Sequence, residues 1–270
     1  MSFDGLKLFY RAWEKHTSNA LIIVHGFGEH SGRYSHFVEE LLTLPISIFL
    51  HDLRGQGHSE GQRVYVQSFD EMVEDLWQFR AFIENKKGAE KRNFILLGQS
   101  LGGLIATAAA LRNQAAWRAL VLLSPFFGVP FAHKALDCLA MFLNFVGPKR
   151  VLNNPIRPMF LTRDTEELER YKRDQLVQRR ITFRMAREMF KGCASVWKKI
   201  NELELPLLLL ASGEDRIVSI QKSREFFETI RSQRKEMKVF DGFLHELLHE
   251  RNREQPIAQI TSFLIHFGLY

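Results

Sequence analysis

Short runs of consecutive apolar residues recur along the chain, separated by longer stretches of helical periodicity. The runs lack the apolar–polar alternation of a half-exposed strand, a pattern typical of strands buried on both faces of a parallel sheet. They lie at 20–24, 46–50, 94–97, 120–123 and 205–211. We therefore expect five buried strands.

Helical stretches fill the first intervals between these runs. They are predicted at 33–44, 68–85 and 102–112. The second begins with Ser68 and has Glu71 three positions later, which is the pattern of a helix-capping box. Alternation of strands with helices predicts an α/β fold with a doubly wound, mostly parallel sheet.

This alternation of strands and helices stops after Ser124 and resumes at Leu205. The residues between them include many bulky apolar side chains but no convincing strand, so we expect a largely helical insertion. The predicted organisation is a core formed by 1–124 and 205–270, with residues 125–204 inserted as a helical lid.

Composition and cysteine content place the chain among globular proteins of a reducing compartment. Of 270 residues, 46% are hydrophobic and 25% are charged. The two cysteines, Cys138 and Cys193, are too few for a disulfide framework. The start of the chain lacks a signal-peptide pattern, and no run of about 18 apolar residues occurs. We expect a cytoplasmic protein.

Positive charge is concentrated in one part of the chain. The net charge is +6, and residues 149–199 contain fourteen Lys and Arg against six Asp and Glu. No zinc-finger spacing, RNP-type motif or basic reading helix accompanies them, so nucleic acid is not an expected partner. An anionic lipid substrate, or peripheral contact with an anionic membrane at its inner face, is open as an interpretation, and an ordinary solvated basic face is an equal alternative.

The segment "NFILLGQSLGGL" (93–104) carries the first candidate for chemistry. Ser100 follows a predicted strand and lies between glycines. These glycines make either an ordinary strand-to-helix turn or a strained one that presents Ser100 as a nucleophile. G-x-S-x-G alone does not decide between the two, because a nucleophilic serine also needs a base and an acid.

An acid and a base are available in the expected positions after later strands. The run 205–211 ends at Ser-Gly-Glu-Asp, so Asp215 or Glu214 can supply the acid. Of the histidines beyond it, His245 follows a short strand and a turn, whereas His266 lies in a terminal helical stretch. The order Ser100, Asp215, His245 is that of α/β-hydrolases.

Two backbone N–H groups are candidates for an oxyanion hole. Leu101 begins the helix after Ser100, and Phe27 lies between glycines just after the strand at 20–24. Both positions lie beyond the carboxyl ends of predicted strands, where catalytic groups collect in this type of sheet.

Five motifs together resemble the monoacylglycerol lipase and lysophospholipase branch of the α/β-hydrolases. They are "HGFGEHSGRY" (25–34), "HDLRGQGHSEGQR" (51–63), "GQSLGG" (98–103), "SGEDRIV" (212–218) and "HELLHE" (245–250). The resemblance covers essentially the whole chain and is weakest across the insertion. It implies a serine esterase that needs no cofactor or metal and that has a lid over its site.

The resemblance also implies site residues. Ser100 is then the nucleophile, Asp215 the acid and His245 the base, with Phe27 and Leu101 as oxyanion donors.

Three further residues are implied near the polar end of an acyl-glycerol pocket. They are Glu29, Arg33 and His249, although His249 lies one residue further from His245 than in the mammalian lipase pattern. Glu29 and Arg33 are four positions apart, so a structural ion pair is an equal reading.

These features favour a serine esterase or lipase acting on a monoacylglycerol or lysophospholipid through an acyl-enzyme. A thioesterase or a hydrolase of small carboxylic esters is an alternative, because a triad does not specify the acyl group. A non-catalytic, ligand-binding hydrolase fold is a third, and it would be expected to show a broken triad. Serine at position 100 argues against dehalogenases and epoxide hydrolases, which place Asp there.

Overall fold

A computed structural model describes residues 2–86, 92–131, 133–154 and 156–268. Its strands are β1 (Tyr10–Trp13), β2 (Asn19–Val24), β3 (Ser47–His51), β4 (Asn93–Gln99), β5 (Ala119–Leu123), β6 (Val151–Asn153), β7 (Arg180–Thr182), β8 (Leu207–Ser212) and β9 (Lys235–Phe240). Its α-helices are α1 (Ser35–Leu41), α2 (Phe69–Glu84), α3 (Leu101–Arg112), α4 (His133–Val146), α5 (Thr165–Arg173), α6 (Phe183–Trp197), α7 (Ile220–Thr229) and α8 (Glu254–Phe263).

One mixed sheet of seven strands organises the described residues. Its order is β1-β3-β2-β4-β5-β8-β9, with β1 antiparallel to β3 and the other neighbours parallel. Alternate residues of β2 enter two different hydrophobic clusters, Ala20 and Ile22 in one and Leu21 and Ile23 in the other. Helices therefore cover both faces of the sheet, and the expected α/β-hydrolase architecture is confirmed.

The expected strands and helices are found with small shifts. The helix predicted at 33–44 divides into a 3-10 turn at Ser31–Tyr34 followed by α1. The antiparallel edge strand β1 was not expected from the sequence. Its four residues are exposed or half-buried, so they lack the continuous apolar run that marks the other strands.

The insertion leaves the sheet after β5 and returns to it at β8, the strand next to β5. The expectation that it contains no strand was wrong, because β6 and β7 form an antiparallel pair within it. Each is three residues long, too short for a periodic pattern to appear in the sequence. The outer limits of 125–204 as a lid stay a prediction.

Helix α6 joins the insertion to the core. Gly192 of α6 lies against the ring of Phe69, so closely that a Cβ atom there would come within 2.4 Å of it. The neighbouring Glu188 accepts the Phe69 N–H at 3.0 Å and so caps α2 from another part of the chain. Ser68 is the N-cap residue as expected, but its side chain makes no capping hydrogen bond with the described residues.

Within the described ranges, no helix combines the length and apolar character needed to cross a lipid bilayer.

Buried neutral histidines make the stability of this fold sensitive to acid. Burial, with a smaller effect of the neighbouring His25, lowers the pKa of His51 to about 3. Neither ring nitrogen of His51 has a hydrogen-bond partner among the described residues. Because the unfolded chain binds a proton below pH 6.5 and folded His51 does not, its contribution to stability is lost as pH falls from 6.5 toward 3.

We therefore expect His51→Leu to flatten the loss of stability in acid. Between pH 7 and pH 5 the free energy of unfolding should fall by about 2 kcal/mol less in the variant than in the wild type. Urea titrations at several pH values measure this difference. His16→Leu, at an exposed site, is the matched control. Equal pH slopes for His51→Leu and the wild type would show that His51 is not held neutral.

Candidate active site

Ser100 lies at a strained turn between β4 and α3. Its φ of 52° and ψ of −116° are unusual for a residue with a side chain. The neighbouring strand holds this conformation, since Ser100 N–H donates to Leu123 O at 2.9 Å. Ser100 O in turn accepts from Phe126 N–H at 3.0 Å. The turn is therefore the strained form of the two that the sequence allowed.

Close packing of α3 against the sheet explains the glycines beside Ser100. A Cβ on Gly98 would lie 2.4 Å from Gly102 O, and one on Gly102 would lie 2.0 Å from Val24 O. Both contacts are with backbone atoms, which cannot move aside without separating the helix from the sheet. Glycine is required at both positions so that α3 can begin directly beneath the turn.

His245 and Asp215 form a buried pair beside this turn. His245 Nδ1 lies 2.7 Å from Asp215 Oδ2, and both side chains are at most 5% exposed. Asp215 Oδ1 accepts the N–H groups of Ile217 and Val218 at 2.8 and 2.9 Å. This arrangement fixes the carboxylate and leaves Nε2 as the free nitrogen of the His245 ring.

The environment of His245 favours its protonated form. Burial acts to lower the pKa of His245, but the charge and hydrogen bond of Asp215 outweigh burial. Glu246 and Glu29 add to the same effect, and the pKa of His245 lies above its ordinary value. The ring is therefore a stronger base than an isolated buried imidazole.

Ser100 and His245 line the same cavity without a direct hydrogen bond between these two described side chains. Catalytic contacts are often long before a substrate is bound. Phe27 lines the cavity as well, and a Cβ on its neighbour Gly26 would lie 3.4 Å from Ser100 Cβ. The loops after β2 and β4 thus meet at one point.

The two predicted oxyanion donors lie in those loops. Among the described residues, no acceptor binds the N–H of Phe27 or of Leu101. Leu101 is the first residue of α3, so its N–H also carries the positive end of the helix dipole. Free donors at this place are what an oxyanion requires. Their role stays a prediction.

Glu29, Arg33 and Glu246 form a buried ionic cluster next to His245. Arg33 donates to both Glu246 oxygens at 2.7 Å and to Glu29 at 3.1 Å. Its guanidinium also lies 5.0 Å from the centre of the Tyr171 ring. Burial acts to raise the pKa of Glu246, but the charge and hydrogen bonds of Arg33 lower it to about 2. Both carboxylates are therefore paired with one cation.

The three residues that were implied to bind substrate differ in their access to the cavity. Glu29 lines the cavity, and its Oε1 also accepts the Gly26 N–H at 2.5 Å. Arg33 and His249 do not line the cavity. The Nε2 of His249 instead lies 3.1 Å from Arg33 O, and burial together with the Arg33 charge lowers the pKa of His249 to about 3. Their predicted contact with substrate stays a prediction.

Glu246 and Arg216 line the cavity but were not among the expected site residues. Glu246 directly follows His245 in the motif "HELLHE", and Arg216 directly follows Asp215. Adjacency to the proposed acid and base was the only available signal. By contrast, Glu214, the alternative acid, pairs with Arg163 at the surface. His266 is exposed and lies in a short π-helix, Leu264–Gly268, near the end of the described residues.

The cavity has a volume of about 560 Å³ and is mainly apolar. The polar residues of the core that line it are Glu29, Gln99, Ser100, Arg216, His245 and Glu246. Most of the remaining wall comes from the insertion: Phe126, Val129, Pro130, Phe131, Leu136, Leu139, Ala140, Leu143, Leu152, Asn154, Ile156, Phe160, Leu161, Tyr171, Ile181, Phe183, Ala186, Met189 and Phe190. A mainly apolar cavity that also has polar groups in its lining suits an amphipathic small molecule.

Comparison with known proteins gives concordant matches. The family model Hydrolase_4, described as serine aminopeptidase S33, matches residues 15–252. Monoglyceride lipase of Mus musculus is 34% identical over 270 residues, which covers 97% of this chain and 86% of the relative. Phospholipase YtpA of Bacillus subtilis is 27% identical, covering 90% of this chain and 93% of the relative. The crystal structure of Paleococcus ferrophilus monoacylglycerol lipase superposes with a TM-score of 0.88 at 26% identity, covering 97% and 100% of the two chains.

The pKa of His245 provides a direct test of the buried pair. We expect histidine NMR titration to give a value above 6.5 in the wild type, because Asp215 stabilises the imidazolium. Asp215→Asn removes that charge while burial continues to oppose protonation, so the pKa should fall below its wild-type value. Asp241→Asn, at an exposed carboxyl in the neighbouring loop, is the control. An unchanged pKa in Asp215→Asn would contradict the pairing.

Proposed function

Because the chain belongs to the Hydrolase_4 family, serine aminopeptidase S33, of the α/β-hydrolases, we propose that it is a serine esterase that hydrolyses a single-chain lipid ester. The substrate class is a monoacylglycerol or a lysophospholipid. One observation carries the proposal: Ser100 and His245 open together into a mainly apolar cavity of about 560 Å³. Water-soluble esters would not need a wall of this composition.

The proposed reaction uses side chains, backbone N–H groups and water. Ser100 Oγ attacks the ester carbonyl while His245 Nε2 takes its proton, and Asp215 stabilises the imidazolium that forms. The N–H groups of Phe27 and Leu101 donate to the oxyanion. His245 then protonates the leaving alcohol, and an acyl group stays on Ser100. Water, deprotonated by His245, releases the fatty acid and restores Ser100.

The apolar and polar lining residues of the cavity suggest how the substrate is oriented. The insertion supplies the apolar part, including Leu136, Leu139 and Leu143 of α4, which suits an acyl chain. The head group then lies near Glu29 and Glu246, whose carboxylates accept hydrogen bonds from hydroxyl groups. This orientation brings the ester carbonyl to Ser100.

We expect activity on p-nitrophenyl esters to rise with acyl length. Each additional buried methylene contributes about 0.8 kcal/mol, so kcat/KM should increase by up to about fourfold per carbon from acetate toward decanoate, below the micelle concentration. A matched panel of monoacylglycerol, lysophosphatidylcholine and acyl-CoA then identifies the head group. Best activity on acetate would instead favour a hydrolase of small esters, and a preference for acyl-CoA would favour a thioesterase.

The same assays need variants of the triad as controls. Ser100→Ala and His245→Ala should each lower kcat by several orders of magnitude, and the double variant should lose about as much as either, because the residues act as a unit. A fluorophosphonate probe should label the wild type at one site and should not label Ser100→Ala. Absence of turnover in the wild type on every ester would leave the non-catalytic, ligand-binding alternative.

We further propose that α4 and the adjoining basic residues bind the surface of an anionic membrane. Phe142 and Phe145 of α4 are 62% and 87% exposed, which is unusual for aromatic side chains. Lys149 and Arg150 follow in sequence and are also exposed, as is Arg180 on β7. Apolar side chains beside basic ones are typical of helices that lie at a lipid interface. Bound in this way, the protein would have its cavity close to the lipid that supplies its substrate.

Vesicle co-sedimentation tests this surface. Binding should be much stronger to vesicles with anionic lipid than to zwitterionic ones, and it should fall between low and physiological salt. Charge reversal at Lys149, Arg150 and Arg180 should weaken binding without altering hydrolysis of a soluble short ester. Arg184 and Arg187 are unsuitable targets because they pair with Glu188 and Asp137. Equal binding to both vesicle types would contradict the electrostatic part of the proposal.

A further inference from the structure

The insertion is hydrogen-bonded to the loop that carries His245. The backbone N–H of His245 donates to Phe160 O at 3.4 Å, and that of Glu246 donates to Leu161 O at 2.8 Å. From the other direction, the Thr162 hydroxyl donates to His249 O at 2.7 Å. The segment 160–163 of the insertion therefore runs along the loop that carries His245 and is hydrogen-bonded to it by main-chain groups and by the Thr162 hydroxyl.

Glu250, a residue of the core, strengthens this contact with two further hydrogen bonds. Its carboxylate is buried and has a separate backbone partner on each oxygen: Oε1 accepts the Leu244 N–H at 2.8 Å, and Oε2 accepts the Arg163 N–H at 3.1 Å. The first donor lies directly before His245 and the second lies in the insertion. One carboxylate thus joins the catalytic loop to the segment 160–163, and a buried carboxylate with such donors is strongly held.

A second part of the insertion contacts the loop that carries Phe27. The Gln178 N–H donates to Gly28 O at 2.7 Å. On the opposite side of the same residue, the Gly28 N–H donates to Gln56 Oε1 at 2.6 Å. His30 Nε2 lies 2.8 Å from Asp174 Oδ2, the latter again from the insertion. The insertion is therefore hydrogen-bonded both to the loop that carries His245 and to the loop that carries Phe27.

We propose that Glu250 is a positioning residue, which works with Thr162 of the insertion to hold His245 in register with Ser100 and Asp215. The proposal rests on the proposed function, since it assigns a role within that reaction. The second half of the insertion is then part of the catalytic framework, whereas α4 forms the outer wall of the cavity. Displacement of a catalytic group by about 1 Å can cost about 10²-fold in rate, so such a support has a measurable effect.

Kinetics of Glu250→Gln provide the main test. The amide keeps the shape of the side chain but turns an –NH₂ group toward one of the two backbone donors. With active sites counted by fluorophosphonate titration, we expect kcat per active site to fall by about 10²-fold while KM changes less than twofold. Glu254→Gln, at an exposed carboxyl in the first turn of α8, should match the wild type in both constants.

Thr162 supplies a milder pair of variants, useful if Glu250→Gln folds poorly. Thr162→Ser keeps the hydroxyl and should retain kcat, whereas Thr162→Val removes it with little change of volume and should lower kcat. The double variant of Glu250→Gln with Thr162→Val should lose less than the product of the single losses, because both residues hold the same loop.

The pKa of His245 separates positioning from general destabilisation. If His245 moves away from Asp215, its NMR pKa should fall toward 6.5 in Glu250→Gln and remain unchanged in Glu254→Gln. This readout needs no substrate, so it tests the position of His245 even if the proposed activity fails. A wild-type pKa and a wild-type kcat per titrated site in Glu250→Gln would overturn the proposal, even if fewer sites were active.

Discussion

The parallel direction of the central strands determines where the chemistry of this molecule can occur. Since β2, β4, β8 and β9 run in the same direction, the loops that follow them all emerge at one edge of the sheet. Those loops carry Phe27, Ser100, Asp215 and His245. Hydrogen bonds between strands thereby bring together residues that are far apart in sequence. Side-chain contacts then fix the distances within the site.

Much of this framework could be predicted because it depends on local sequence. Strands buried on both faces must be apolar throughout, and the turn at Ser100 requires glycine where α3 approaches the sheet. The ionic cluster could not be predicted in the same way, since Arg33 meets Glu246 across most of the chain. The short strands β6 and β7 and the bonds of Glu250 also depend on tertiary contacts. A local sequence pattern does not identify residues that come into contact only in the folded chain.

The pKa values of two neighbouring histidines show how strongly charged partners affect the same type of side chain. His245 and His249 lie four positions apart and are both buried. Asp215, Glu246 and Glu29 raise the pKa of His245, whereas burial and Arg33 lower that of His249 to about 3. The two rings therefore differ in proton affinity because of their partners, and His245 is the stronger base. The nearby Arg33 is compensated by two carboxylates, so it supports this arrangement without neutralising Asp215.

The position of the insertion between β5 and β8 has a consequence for the folding of the chain. Strands β1 to β5 can pair from a continuous stretch of sequence, whereas β8 reaches β5 only after the whole insertion has been accommodated. The loop-closure entropy of such an insertion grows only slowly with its length, by about 0.6 kcal/mol for each doubling. In the sheet of the described residues, the strands that bring Asp215 and His245 are joined to β1–β5 only through the pairing of β5 with β8, in which Leu120 lies opposite Leu207. A chain that ends before β8 contains Ser100 but lacks both Asp215 and His245, so activation of the serine requires the part of the sheet that follows the insertion.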